Sequence, residues 1–381
     1  MNSNVDKMRS FIVMDVLERA KELESEGADV IHLEVGEPDF NMPQAAVEAV
    51  ARAAADGNTH YTHSLGLLQL RQAIANQYNT EYGVKVSADN IVVTCGSSQA
   101  ILMALLLLCN TGDEVIISNP GYACYRNFIL AANAVPVEVP LSAENDFQFD
   151  IQTLKKVITP RTRAIIVNSP MNPTGTLMHS DVMQQMAQLG ITVISDEIYH
   201  GLVYEGKAET MLQHTDNTLI INGFSKRYAM TGLRLGYLIA PEQFMRKLQI
   251  IQQNLFICAP SVSQYGALAA LTSEQAETEL VKMRQTYDER RKYLISRLRE
   301  IGFTIHTEPK GAFYIFADAR CYASDTYRFA FDALEQAHVG ITPGIDFGSR
   351  GEGFVRFSYA NSIENIGRAM NRLETWIKEN F

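Results

Sequence analysis

The chain has 381 residues, 46% of them apolar, with ordinary Gly and Pro usage, enough to bury a large core and to form two domains. Its formal net charge is -10 and no long basic run appears, which argues against a nucleic-acid or anionic-membrane partner. Five widely spaced cysteines (Cys95, Cys109, Cys124, Cys258, Cys321) without a C-x-x-C pair indicate neither a disulfide framework nor a zinc site, and fit a reduced, cytoplasmic setting.

Residues 1–30 predict an amphipathic helix around Phe11, Met14, Val16, Leu17 and Ala20, ending at Gly27. Its apolar start is broken by Asp15 and followed by Glu18 and Arg19, too short for a signal peptide. Residues 31–39 read as a short strand that breaks at Gly36 and Pro38. Gly36 is either a plain turn residue or a point where backbone approaches a ligand. Helical patterns follow over 44–56 and, after Tyr61 and Gly66, through Leu67, Leu70, Ile74 and Tyr78.

Residues 91–94 predict a buried strand, and Cys95-Gly-Ser-Ser-Gln-Ala a turn opening into a helix over 99–109. The small Gly96, Ser97 and Ser98 leave backbone N–H groups and a helix dipole free for a phosphate; a serine cap without a ligand fits the same residues. The apolar run 100–108 is about half of the roughly 20 residues that a membrane span needs.

Val/Ile-rich strands then recur at 114–118, 134–139, 163–168, 191–199, 219–222 and 235–240, interleaved with helices. That alternation predicts an α/β large domain with a mostly parallel, roughly seven-stranded sheet covered by helices on both faces. A long helical region, broken near Thr272 and Ser273, runs to about Arg299. Shorter strands at 303–306, 312–316 and 353–358 and a helix at 363–379 predict a smaller α+β domain. The expected division is an N-terminal segment (1–43) packing with the small domain, a large domain (44–280) and a small C-terminal domain (281–381).

Ligands of open α/β sheets bind at the carboxyl ends of the strands. Three motifs fall at such ends, Asn172-Pro-Thr-Gly175, Asp196-Glu-Ile-Tyr199 and Ser225-Lys226, and Gly232-Leu-Arg-Leu-Gly236 follows the last of them. Singly they read as a β-turn, a helix cap, a surface Ser-Lys and a structural arginine. Together they are sharper. A lysine at the mouth of a buried strand suits a Schiff base, with Ser225 and Arg234 placed to hold a phosphate.

The ordered set resembles the class I/II (fold type I) pyridoxal-phosphate-dependent aminotransferases, and the resemblance covers nearly the whole chain. It implies transfer of an amino group between an L-amino acid and a 2-oxo acid by a ping-pong mechanism, with pyridoxal 5′-phosphate on Lys226 and no metal. By the same resemblance Lys226, Asp196 and Tyr199 are catalytic. Lys226 moves the proton at the substrate α-carbon, and Asp196 pairs with the pyridine nitrogen. Tyr199 and Asn172 bond the ring phenolate, and Tyr122 stacks on the ring. The phosphate falls to Ser97, Ser98, Ser225, Arg234 and, from a neighbouring subunit, Tyr61, which implies a homodimer with shared active sites. Arg356, Gly36 and Asn172 receive the substrate α-carboxylate.

The motifs do not name the substrate side chain. Some aspartate-specific members carry a lysine in the turn before the phosphate helix; here that turn is Gly96-Ser97-Ser98. Phe11, Ile12, His60, His63 and Met230 are the candidate neighbours of the side chain. Two alternatives use the same fold. One is a cystathionine-type C–S β-lyase with the same lysine. The other is a non-catalytic regulatory module, against which stand the negative charge and the lack of a helix-turn-helix pattern before residue 30.

Overall fold

The computed structural model describes residues 4–381. Helix α1 (Ile12–Ser25) and strand β1 (Ile31–His32) precede α2 (Gln44–Ala55) and α3 (Leu68–Tyr82). An alternating run follows: β2 (Ile91–Thr94), α4 (Gly96–Leu108), β3 (Glu114–Asn119), α5 (Cys124–Ala131), β4 (Val135–Pro140), α6 (Ile151–Val157) and β5 (Thr162–Asn168). It continues through α7 (Ser180–Ala187), β6 (Thr192–Asp196), β7 (Thr218–Gly223) and β8 (Gly236–Ile239). Helices α8 (Glu242–Leu255), α9 (Ser261–Thr272) and α10 (Glu274–Ile301) lead to β9 (Tyr314–Asp318) and α11 (Thr326–Ala337). The chain closes with β10 (Val339–Gly340), β11 (Thr342–Pro343), β12 (Phe354–Ser358) and α12 (Ile363–Asn380).

The large sheet has seven strands in the order β2-β8-β7-β6-β5-β3-β4. Only β8 is antiparallel to its neighbours, β2 and β7. It therefore starts at the edge where the other strands end, and that inversion matters for the site. Successive residues alternate between two buried faces, as the two-residue period of a strand requires. Val115, Ile117, Ala164, Ile166, Ile194, Leu219, Ile221 and Leu238 pack with α4, α5 and α8. Ile116, Ile165, Val167, Val193, Ile220 and Tyr237 share the other core, with Leu70, Ile74 and Tyr78 of α3.

A second sheet, β11-β12-β9, is antiparallel, and β1 pairs in parallel with β10. The N-terminal segment thus lies against the C-terminal third, with α1 packed on β10, β11 and α11. Among the described residues no helix is long and apolar enough to cross a membrane.

The α/β architecture matches the expectation, with several local differences. The core face of α1 is Val13, Val16, Ala20 and Leu23, whereas Phe11 lies before the helix and Met14 is 51% exposed. Only Ile31 and His32 of 31–39 are strand, because the following residues leave the sheet to reach a cavity. At 303–306 there is one bridge, Thr304 to Asp318, in place of a strand. The helix expected from 99 already starts at Gly96. Helices α6, α8 and α11 add to those expected.

Candidate active site

A cavity of about 320 Å³ opens at the carboxyl edge of the large sheet. Strand β5 ends at Asn168, β6 at Asp196 and β7 at Gly223, and the residues that follow, Asn172, Ile198, Tyr199, Ser225 and Lys226, line it. Because β8 runs the opposite way, Arg234 arrives at this edge just before the strand begins. Two glycines permit the approach: a Cβ on Gly96 would lie 2.6 Å from Arg234 Nη2, and one on Gly236 would lie 2.5 Å from Ser97 N. The first turn of α4 brings Ser97 and Ser98 beside that arginine, with backbone N–H groups that a helix start leaves unpaired.

Asp196 is buried. Its Oδ2 accepts from Tyr125 Oη at 2.6 Å and its Oδ1 from the Ile198 N–H at 3.2 Å. Both donors are neutral, and burial pushes the carboxyl up to about 6. Asn168 ties the neighbouring loop to the end of β6: its Nδ2 donates to Asp196 O at 2.9 Å and its Oδ1 accepts from Asn172 N at 2.7 Å. The Lys226 amine points inward, donates to Gly36 O at 2.5 Å and lies 5.8 Å from the Phe313 ring centroid. Burial lowers it to about 8, so a large fraction is neutral near pH 8.

Across the cavity, Arg356 of β12 is 1% exposed, its guanidinium 4.2 Å from the Tyr314 ring centroid. It donates to Asn172 Oδ1 at 3.0 Å, to Thr342 Oγ1 at 3.2 Å and to the Glu34 carbonyl. Its buried Nε has no partner, a donor left for an incoming acceptor. Tyr199 and Tyr314 share a hydrogen bond of 2.9 Å, and burial raises both phenols. Gly36 passes so close that a Cβ there would sit 2.2 Å from Tyr314 Oη. Tyr122 meets Phe11 and Tyr125 edge-on, at 6.0 and 5.2 Å between centroids.

Of the residues expected at the site, Gly36, Ser97, Ser98, Tyr122, Asn172, Asp196, Tyr199, Ser225, Lys226, Arg234 and Arg356 all line this one cavity. Tyr61 does not: it is 83% exposed, on a loop outside the cavity of its own chain. Phe11 lines the cavity, whereas Ile12, His60, His63 and Met230 do not. Sequence reasoning missed Tyr125, Asn168, Tyr314, Glu37 and Thr231. Only Asn168 carried a signal, as the last residue of a predicted strand.

The family model for aminotransferase class I and II matches residues 28–373. The (5-formylfuran-3-yl)methyl phosphate transaminase of Methanocaldococcus jannaschii is 42% identical over 97% of this chain and 97% of its own length. The aspartate aminotransferase of Pyrococcus horikoshii is 37% identical over 95% of this chain and 93% of its own. Among solved structures, the Thermus thermophilus aspartate aminotransferase with maleate superimposes at a TM-score of 0.94, with 35% identity, covering 98% of this chain and 99% of that one.

Proposed function

The chain belongs to the aminotransferase class I and II family and is an aminotransferase, and from that premise we propose that it works with pyridoxal 5′-phosphate carried on Lys226. The donor set supports this cofactor at each of its ends. Ser97, Ser98, Ser225 and Arg234 cluster where a phosphate needs donors and positive charge. Asp196 is a buried carboxylate with only neutral partners, suited to a protonated ring nitrogen. Arg356 offers an unpartnered Nε to a substrate carboxylate. The observation that carries the reading is the pairing, in one cavity, of a buried lysine amine lowered to about 8 with that buried carboxylate.

When bound, the cofactor supplies an electron sink for the pair released as the substrate Cα–H bond breaks. The protein does the rest. Asp196, oriented by Tyr125 and the Ile198 N–H, would hold the proton on the ring nitrogen. Neutral Lys226 Nζ, once free, would serve as the base that takes the proton from the substrate α-carbon. Tyr199, aimed by Tyr314, and Asn172 would donate to the ring oxygen, and Tyr122 would pack on the ring. Arg356 and Asn172 clamp the α-carboxylate so that the Cα–H bond faces Lys226, while the apolar wall excludes water. Lys226, Asp196 and Tyr199 are the catalytic residues in this account.

The active unit we propose is a homodimer. The supporting observations are the exposure of Tyr61 and of Arg234, which leaves the phosphate end of the cavity open in a single chain. All five cysteines are free thiols, which supports a cytoplasmic setting.

Visible absorption of the cofactor-loaded protein tests the reading. Amino acids should bleach the lysine-bound band and a 2-oxo acid should restore it. A band that no amino acid alters, or pyruvate and ammonia released from cysteine without any 2-oxo acid, would overturn it.

A further inference from the structure

Resting on the aminotransferase reading, we infer that His32 and Glu34 are a positioning pair. Lying behind the cavity, this ion pair holds the Glu34 carbonyl against Arg356 and so sets how tightly the enzyme grips the α-carboxylate common to its substrates.

The link starts in the backbone. The Glu34 carbonyl accepts from Arg356 Nη2 and from Thr342 Oγ1, the latter at 3.1 Å. Two residues on, the Gly36 carbonyl accepts from Lys226 Nζ. This short stretch after β1 therefore touches both the carboxylate arginine and the reactive lysine, and whatever anchors it fixes the spacing between them. Leu33 supplies two anchors: its carbonyl accepts from Ser358 N at 2.6 Å and its N–H donates to Gly340 O at 3.0 Å. The other is the Glu34 side chain.

Placing a carboxylate there is costly. Glu34 is fully buried within its own chain, so a second subunit has no access to it. Among the described residues its one ion pair is with His32, whose Nδ1 lies 2.6 Å from Oε1. Oε2 is buried without a hydrogen-bond partner, and a Cβ on Gly340 would sit 2.2 Å from it, so the space is closed to a ligand. A carboxylate taken out of water with a single partner depends on that partner's charge.

His32 supplies that charge. Its Nε2 lies 3.1 Å from Glu24 Oε1 of α1, so carboxylates flank both ring nitrogens. Carboxylates accept only, and a neutral imidazole has one N–H, so the imidazolium alone satisfies both. The hydrogen bond to Glu34 raises the ring above its ordinary value, against burial, which lowers it. The elements packed around β1 bring further charges: Glu24 bonded to Lys21, Arg368 and Arg372 of α12 both bonded to Asp29, and His338 ahead of β10. Below its raised value His32 balances Glu34. As pH rises through that value the ring loses its charge, the buried carboxylate is left uncompensated, and the carbonyl that carries Arg356 is free to shift.

The test uses the cofactor-loaded enzyme and a 2-oxo acid, the fastest of pyruvate, 2-oxoglutarate and phenylpyruvate. An oxo acid carries the α-carboxylate but no ammonium group that titrates alongside. In wild type its KM should rise between about pH 6.5 and about pH 9, and Glu34→Gln, neutral and of the same shape, should flatten that rise. His32→Ala leaves the carboxylate alone and should raise KM about tenfold for amino and oxo acid alike, with kcat changed less than about threefold. Adding Glu34→Gln to it should bring KM back to within about threefold of wild type. By reciprocity, NMR of isotope-labelled histidine should show His32 titrating at higher pH when the oxo acid is bound. A KM unchanged in folded His32→Ala, or the same pH rise in wild type and Glu34→Gln, would overturn the inference while leaving the aminotransferase reading intact. Should His32→Ala fail to fold, a His32 titration indifferent to the oxo acid overturns it just as well. Amino acids that never bleach the cofactor band would instead bring down the reading on which the inference rests.

Discussion

Asp196 and Glu197 are neighbours in the chain, both buried, and in both burial raises the carboxyl, to about 6 and about 7. Asp196 ends β6 and Glu197 follows it directly, and their side chains go to opposite faces of the sheet, toward Tyr125 of α5 and Tyr78 of α3. Glu197 faces α3 and accepts from Tyr78 Oη at 3.0 Å, Thr210 Oγ1 at 2.9 Å, Met211 N at 3.1 Å and Ser195 Oγ at 3.1 Å. Tyr78 in turn accepts from Asn222 Nδ2 at 2.9 Å, so the carboxylate ties α3, β6 and β7 together. Asp196 has two donors and a cavity in front of it. The lesson is about capacity. A buried carboxylate surrounded by donors is a structural pin, and one left short of partners is where a ligand completes the set.

Exchanging the fates of these two residues is the strongest way to break that contrast. Asp196→Asn should lower kcat by about 10² to 10³-fold while leaving the cofactor-free fold as stable as wild type or more so. Glu197→Ala should do the reverse, costing about 3 kcal/mol of stability in urea unfolding by stranding four donors, with kcat changed less than about tenfold. Equal losses of activity, or a Glu197→Ala protein of unchanged stability, would collapse the distinction.

A smaller effect lies in the pH dependence. Glu197 holds its proton in the folded state up to about pH 7 but releases it near 4.5 when unfolded. Its favourable contribution is therefore full below about pH 4.5 and is lost as pH rises through 7. The destabilisation caused by Glu197→Ala should shrink by a few kcal/mol between pH 4.5 and 8. Asp196 behaves likewise up to about pH 6 in the cofactor-free protein. Loading a cationic ring nitrogen beside it should flatten that part of the curve, as unfolding midpoints across pH would show. Smallest of all, Tyr125→Phe removes a bond that lowers Asp196, so its carboxyl should rise further and kcat should fall by up to about tenfold.

How much was legible in the sequence follows the same division. Lys226, Asp196 and Asn172 announce themselves because each sits at or just past the end of a Val/Ile run, where period-two patterning fixes both the strand and its exit, whereas Arg234 is marked by the flanking Gly232 and Gly236 ahead of β8. Tyr125 and Tyr314 were not legible: each touches its partner across 71 and 115 residues of chain, and a tyrosine in a helix or strand looks like core. Phe11 and Met14 read as a helical core face because apolarity alone does not say which side a helix buries; Val13 and Val16 took that side. The strand expected over 31–39 shortened for a related reason. Apolar Leu33 and Val35 resemble strand residues, but Gly36 has to reach the Lys226 amine and leave the ladder.

The central claim is that Lys226 carries the cofactor opposite Asp196. Borohydride reduction of the pyridoxal-phosphate-loaded protein, followed by peptide mass mapping, tests it most directly. The account predicts one mole of reduced cofactor per chain, all of it on the peptide containing Lys226, and none in Lys226→Ala. Reduced cofactor on another lysine, with Lys226 unmodified and transamination intact, would contradict it.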